Sequence, residues 1–299
     1  MRYVACTLIC LFLFAFQQNV GHANESSADK IILSTIKDKK RIPINDEYAV
    51  LFYKGTDAEG VIWSIYEILQ GNKTVYSSGS QECNLSGDNL EGDVIFPPPG
   101  KDITGEGIPN LVVGCITGGS HCCTDVNIFS LGEEFKSIKD FHFGYSTFKL
   151  TDLDGDDVLE LTMDDWTFQG WSNAEWFGAN EGMANQKVIL RYKKGDYHIA
   201  PDLMQRFAKD IDPPSERQIA EEFSKGANYN FLHPEYGVPF SLWGYMLSMV
   251  YNGQGNEALF FCSKVWPKNR RGEKEFVEAF KKQLIKSPYW PGIKVLNGW

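Results

Sequence analysis

The sequence is short of positive charge and, after its first residues, of long apolar runs. Its 299 residues include 29 lysines and arginines against 39 aspartates and glutamates, so the formal net charge is −10. A chain this acidic binds phosphate backbones poorly and cations more readily, so we expect no nucleic-acid partner. No later apolar stretch approaches the length of a transmembrane helix, so we expect no membrane span.

Motifs that identify several common enzyme classes are also missing. The sequence has no phosphate-binding glycine loop, no G-x-S-x-G elbow and no H-E-x-x-H helix. It contains no C-x-x-C pair and no second cysteine pair at zinc-finger spacing. These absences favour a non-enzymatic protein without excluding an enzyme.

The first 23 residues have the pattern of a cleaved secretory signal. Arg2 precedes an apolar run from Val4 to Phe16, and the small residues Gly21 and Ala23 follow at a spacing suited to signal peptidase. We therefore predict a signal peptide at residues 1–23 and an exported protein, periplasmic or extracellular.

Five cysteines follow this segment, and export would allow disulfides among them. Adjacent cysteines on a strand point to opposite faces, so we expect Cys122 and Cys123 to form structural disulfides with separate partners, Cys83 and Cys115. The sequence does not determine the connectivity, and a metal or redox site that also uses His121 is the alternative. Cys262 lies in an apolar helical context, where we expect a buried free thiol.

The pattern of the chain changes near residue 201. Residues 24–200 contain short β-branched and aromatic runs, separated by turn formers such as Gln70-Gly71-Asn72 and Lys194-Gly195-Asp196, which predicts antiparallel hairpins. Residues 201–299 have helical patterns, including a run from Ser215, a helix-capping residue, to Gly226. We predict an α+β protein with a β-rich domain, partly propeller-like or a sandwich, followed by a helical region.

An acidic stretch in the β-rich part has a relative 50 residues earlier. DLDGDDVLEL, which begins at Asp152, aligns with DITGEGIPNL, which begins at Asp102, and in each case a strand-like run follows. A period of 50 residues is about the length of a four-stranded propeller blade. The alignment predicts two copies of one unit within about residues 94–165.

The pattern D-x-D-G-D-x-x-x-E followed by apolar residues resembles the FG-GAP and VCBS-type repeats of integrin-like propellers and bacterial surface proteins. In that family the acidic loop binds calcium, so the resemblance implies this role for Asp152, Asp154, Asp156 and Glu160. The first copy has Thr104 and Asn110 at two of the acidic positions. We therefore expect one calcium ion, in the second loop.

The residues support a calcium site in the second loop independently of the resemblance. Calcium takes six to eight oxygen ligands, which alternating acids on a tight turn can supply together with a backbone carbonyl, here assigned to Val158. Gly155 provides the conformational freedom that such a turn needs. Neighbouring carboxylates about 4 Å apart repel by roughly 1 kcal/mol in bulk water, so a cation would relieve a cost of folding.

Residues 163–186 combine aromatic side chains with acids. Trp166, Trp171 and Trp176 are candidates for a surface that binds a glycan or a peptide, and inter-strand core packing is the alternative. The acids of this segment, Asp164, Asp165, Glu175 and Glu181, could include the two carboxylates of a glycosidase.

Two hypotheses follow for the function. The first is an exported, calcium-binding β-repeat protein that acts as a non-enzymatic binding or structural module for an unidentified protein or glycan. The alternative is a secreted hydrolase of glycans or envelope polymers that uses the carboxylates of residues 164–181.

Overall fold

The computed structural model describes residues 33–85, 96–119, 122–143, 148–171, 185–207, 212–225 and 237–299, without the side chains of residues 116–124 and 143. The described residues form twelve strands in three antiparallel sheets, and six helices follow them. The predicted α+β class, with antiparallel strands first and helices last, is confirmed. Ile32–Trp299 belong to one compact unit, and the predicted signal peptide lies outside the described residues.

Each sheet is a meander of four consecutive strands. The first contains β1 (Thr35–Pro43), β2 (Tyr48–Thr56), β3 (Ile62–Gln70) and β4 (Lys73–Ser80). The second contains β5 (Glu82–Asn84), β6 (Asn110–Gly119), β7 (Cys122–Leu131) and β8 (Phe135–Phe143). The third contains β9 (Lys149–Thr151), β10 (Glu160–Asp165), β11 (Gln186–Lys193) and β12 (Asp196–Ile199).

The second sheet lies between the other two. Side chains alternate along β6, so Leu111 and Val113 pack in one core with Val50 of the first sheet. Val112, between them, packs in the other core with Leu161 of the third sheet. The β-rich part is therefore a stack of three sheets with two cores.

Six helices follow β12, and they begin where the sequence pattern changes. They are α1 (Pro201–Arg206), α2 (Glu216–Lys225), α3 (Phe240–Tyr251), α4 (Gly255–Val265), α5 (Glu273–Leu284) and α6 (Trp290–Leu296). As expected for a capping residue, the Ser215 hydroxyl oxygen accepts a hydrogen bond from the Gln218 N–H at 3.1 Å. Helices α1 and α3 contact β11, and Trp243 and Met246 of α3 share the core of the third sheet.

The sequence predicts no membrane-spanning segment, and these helices bear on that prediction. Within the part of the chain that the structure describes, no helix has the length and apolar character needed to cross a membrane.

The disulfide differs from the expected pairing. Cys83 and Cys115 lie opposite each other in the register of β5 and β6, and they are bonded to each other. Cys83 and Cys115 are therefore not the separate partners of Cys122 and Cys123, whose side chains lie outside the described part of the structure. Cys262 is a buried free thiol, as expected.

Replacing both Cys83 and Cys115 with alanine is expected to lower the free energy of unfolding by about 3–4 kcal/mol. The bond links residues separated by 32 positions, and its loss frees the unfolded chain to explore more conformations. Urea unfolding of the oxidised wild type and of the double variant measures the difference. Equal stability of the two proteins would contradict the expectation.

Candidate metal-binding loop

The loop between β9 and β10 is organised by the side chain of Asp152. Its Oδ1 accepts hydrogen bonds from the backbone N–H groups of Gly155 at 2.7 Å and Asp156 at 3.2 Å, and its Oδ2 accepts one from Asp157 at 3.1 Å. The Gly155 N–H and the neighbouring backbone donors hold the pKa of Asp152 below its usual value. Asp152 is therefore an ionised acceptor that shapes the turn as well as a candidate ligand.

Three of the predicted ligands come together. Asp152, Asp154 and Asp156 each place one carboxylate oxygen so that the three oxygens lie within 4.8 Å of one another. Asp154 and Asp156 are exposed and Asp152 is half-buried, so the cluster is open to solvent. Such a group could hold a metal ion, although exposed acids often cluster without one.

Asp157 follows the cluster and closes the turn in the left-handed region. Its φ is 67°, and that of Gly155 is 86°. A non-glycine residue with this backbone is uncommon, but aspartate tolerates it better than most residues. The adjacent Val158 N–H donates to Asp156 Oδ1 at 2.9 Å.

Glu160, the fourth predicted acid, occupies a different environment. Its side chain is fully buried, and its Oε2 accepts a hydrogen bond from the Leu153 N–H at 2.9 Å. Burial raises the pKa of Glu160, although the Leu153 N–H and Arg191 act in the opposite direction. Glu160 thus ties the start of β10 to the loop and is not part of the three-oxygen group.

Arg191 on β11 is the residue that sequence reasoning missed. Its guanidinium lies 2.6 Å from Asp154 Oδ2 and 3.2 Å from Glu160 Oε1, and it also forms two bonds, at 3.1 and 3.2 Å, with the carboxylate of Asp202 on α1. These partners raise the pKa of Arg191, with the hydrogen bond to Asp202 as the largest cause. One cation therefore neutralises part of the acidic loop and links it to the first helix.

The loop at Asp102 has a closely related arrangement of hydrogen bonds. Asp102 accepts bonds from the N–H groups of Gly105 and Gly107, at the positions where Asp152 accepts them from Gly155 and Asp157. Asn110 Oδ1 accepts a bond from the Ile103 N–H at 2.8 Å, as Glu160 does from Leu153. The first loop thus has the same frame of side-chain to backbone hydrogen bonds, with the neutral amide of Asn110 in place of the buried acid Glu160.

The two loops also touch each other. The Leu159 N–H donates to the Ile103 carbonyl at 3.0 Å. A Cβ atom on Gly105 would come within 2.6 Å of a Val158 methyl group, so only glycine permits this approach.

No protein-family model, curated protein or solved structure matches this chain, so the role of the loop depends on its own geometry.

The aromatic segment after β10 is described only in part, and the part that is described packs against the core. Trp171 packs against Trp243 with ring centroids 5.2 Å apart, and Trp166 is half-buried. Trp176, Glu175 and Glu181 lie outside the described residues, as does His121 of the alternative metal or redox site. The predicted binding surface stays a prediction.

Asp165 is the centre of a buried hydrogen-bond network, which the sequence did not predict. It is 3% exposed, and its Oδ2 accepts hydrogen bonds from the hydroxyl groups of Tyr251, at 2.5 Å, and Ser287. Its Oδ1 accepts bonds from the N–H and hydroxyl groups of Thr167. Burial, followed by the charge of Asp165, raises the pKa of Tyr251. The end of β10 is thereby fastened to the helical region.

Proposed function

We propose that this chain is an exported calcium-binding protein of the FG-GAP and VCBS type, acting as a non-enzymatic binding or structural module. The main support is that three carboxylate oxygens converge on a turn that Asp152 organises. The related frame of the Asp102 loop supports the repeat, and the Cys83–Cys115 bond supports an oxidising, periplasmic or extracellular compartment.

Calcium is the ion that suits this loop best. All three candidate ligands are carboxylate oxygens, and two of them belong to exposed residues. Calcium accepts flexible oxygen coordination, whereas magnesium requires a nearly ideal octahedron and loses its water reluctantly. A carbonyl such as that of Val158 and water molecules would complete the coordination.

Calcium is expected to raise the thermal midpoint of unfolding, and Asp156→Asn is expected to remove most of that increase. A ligand that binds only the folded state at 100 times its dissociation constant adds about 2.7 kcal/mol of stability. Asparagine retains an acceptor for the Val158 N–H but removes the charge of one candidate ligand. Thermal unfolding in EDTA, calcium or magnesium measures the effect.

Glu106→Gln is the matched control because Glu106 occupies the position in the first loop that Asp156 occupies in the second. This variant should keep the full response to calcium. Identical unfolding of the wild type in EDTA and in calcium would remove the support for the cation site.

The alternative hydrolase gains no support from the described residues. Asp164 is half-buried, whereas its neighbour Asp165 is buried and already accepts bonds from Thr167, Tyr251 and Ser287. The described part of segment 164–181 therefore offers one accessible carboxylate, and glycosidases use two.

A further inference from the structure

A cavity of about 540 Å³ lies where the ends of β10 and β11 meet helices α1 to α3. Its volume falls in the range of sites that bind small ligands. None of the described residues 152–160 lines it, so the cavity is a separate site from the proposed calcium loop.

One wall of the cavity is apolar, and one of its side chains is exposed. Ile189 and Met204 are buried there, while Phe207 at the end of α1 is 48% exposed. A mid-helix glycine, Gly244, faces the same space, and a Cβ atom at this position would come within 2.9 Å of the Phe240 ring. Glycine normally costs about 1 kcal/mol in a helix interior, and here it lets the ring lie along α3. The exposed ring of Phe207, beside this apolar surface, is where a large apolar group can pack.

The polar lining contains one hydrogen-bonding atom without a partner and several charged or polar side chains. Asn185 Oδ1 is buried and has no hydrogen-bond partner among the described residues. A buried acceptor normally has a partner, so this atom calls for a donor from a ligand. Lys187 and Asp212 add one cation and one anion, and Tyr245 and Asn252 add a phenol and an amide.

These features match a peptide better than a sugar or a fatty acid. Each peptide unit carries an N–H donor and a carbonyl acceptor, which complement amide side chains, and its side chains include large apolar groups. A sugar has no apolar group to fill the wall, and the described lining contains no tryptophan. A fatty acyl chain would leave Asn185 Oδ1 unsatisfied. We propose that this cavity binds a short peptide segment through one large apolar side chain.

The test uses tripeptides as probes in EDTA, so that failure of the calcium site cannot affect it. Saturation-transfer NMR and calorimetry should show Ala-Phe-Ala binding with a millimolar or lower dissociation constant, and Ala-Ser-Ala binding much more weakly. Equal binding of the acetylated and amidated peptide indicates a segment within a longer chain. Binding of the uncapped form alone indicates a free peptide whose termini pair with Lys187 and Asp212.

Two phenylalanine variants show whether the binding takes place in the cavity. Phe207→Ala should weaken binding of Ala-Phe-Ala about tenfold, since the ligand loses an aromatic contact. Phe260→Ala, which removes a 73% exposed ring that does not line the cavity, should leave binding unchanged. The proposal is overturned if no tripeptide binds, if the two variants behave alike, or if N-acetylglucosamine oligomers or laurate bind while the tripeptides do not.

Discussion

Replacing Asp165 with alanine is expected to lower the free energy of unfolding by about 3–5 kcal/mol. The change would leave the hydroxyl groups of Tyr251, Ser287 and Thr167 without the acceptor that they share. These hydroxyls belong to α3, to the residues after α5 and to the turn after β10, so one substitution loosens three attachments. Urea unfolding at neutral pH measures the loss.

Smaller substitutions test whether the hydrogen bonds, and not the added space, cause this loss. Tyr251→Phe and Ser287→Ala each remove one donor while Asp165 keeps the others, so each should cost about 1–2 kcal/mol. Asp165→Asn preserves the side-chain volume and one carbonyl acceptor, so its cost should lie between those of the single-donor variants and alanine. A loss below about 1 kcal/mol for Asp165→Ala would contradict the role assigned to the network.

Local patterns were sufficient to predict the hairpins and part of the helical region. Turn formers marked the hairpins: Gly71, with a φ of 60°, joins β3 to β4, and Gly195, with a φ of 88°, joins β11 to β12. The serine cap at Ser215 located α2. Helices α1 and α6 were not predicted, since each has only six or seven residues and shows less than two full turns of periodicity.

The acidic loop could be located from its residues, but its partners could not. Glu160 was grouped with the three aspartates because the D-x-D-G-D-x-x-x-E pattern includes it, and the structure instead buries it against Arg191, 31 residues later. Arg191 comes next to Glu160 only through the register in which Leu161 pairs with Leu190. The same limit applies to Cys83 and Cys115, since strand pairing decides which cysteines face each other.

Replacing Arg191 with methionine is expected to lower the free energy of unfolding at pH 7 by about 2–4 kcal/mol. Glu160 would remain buried without its cation, and removal of one partner of a buried ion pair commonly costs about 3–5 kcal/mol. Because 29% of the Arg191 side chain is exposed, solvent reduces this cost. Lys139→Met is the control, since the pair of Lys139 with Asp196 is partly exposed on both sides, at 36% and 42%, and should contribute at most about 1 kcal/mol.

The cost of Arg191→Met should decrease as the pH falls. Burial already raises the pKa of Glu160, and loss of the guanidinium raises it further. A carboxyl group whose folded pKa exceeds its unfolded value of about 4.3 contributes stability below that value and loses it as the pH rises through the folded pKa. The part of the penalty that comes from the buried charge of Glu160 should therefore be complete above the folded pKa of Glu160 and small near pH 4.

The double variant Arg191→Met with Glu160→Gln separates the buried charge from the lost contacts of arginine. Glutamine can still accept the hydrogen bond from the Leu153 N–H, as Asn110 accepts one from Ile103 in the first loop. With the charge removed, the double variant should recover much of the lost stability and lose the pH dependence. If Arg191→Met costs no more than Lys139→Met, or if the double variant is less stable than Arg191→Met, the buried charge of Glu160 is not what Arg191 compensates.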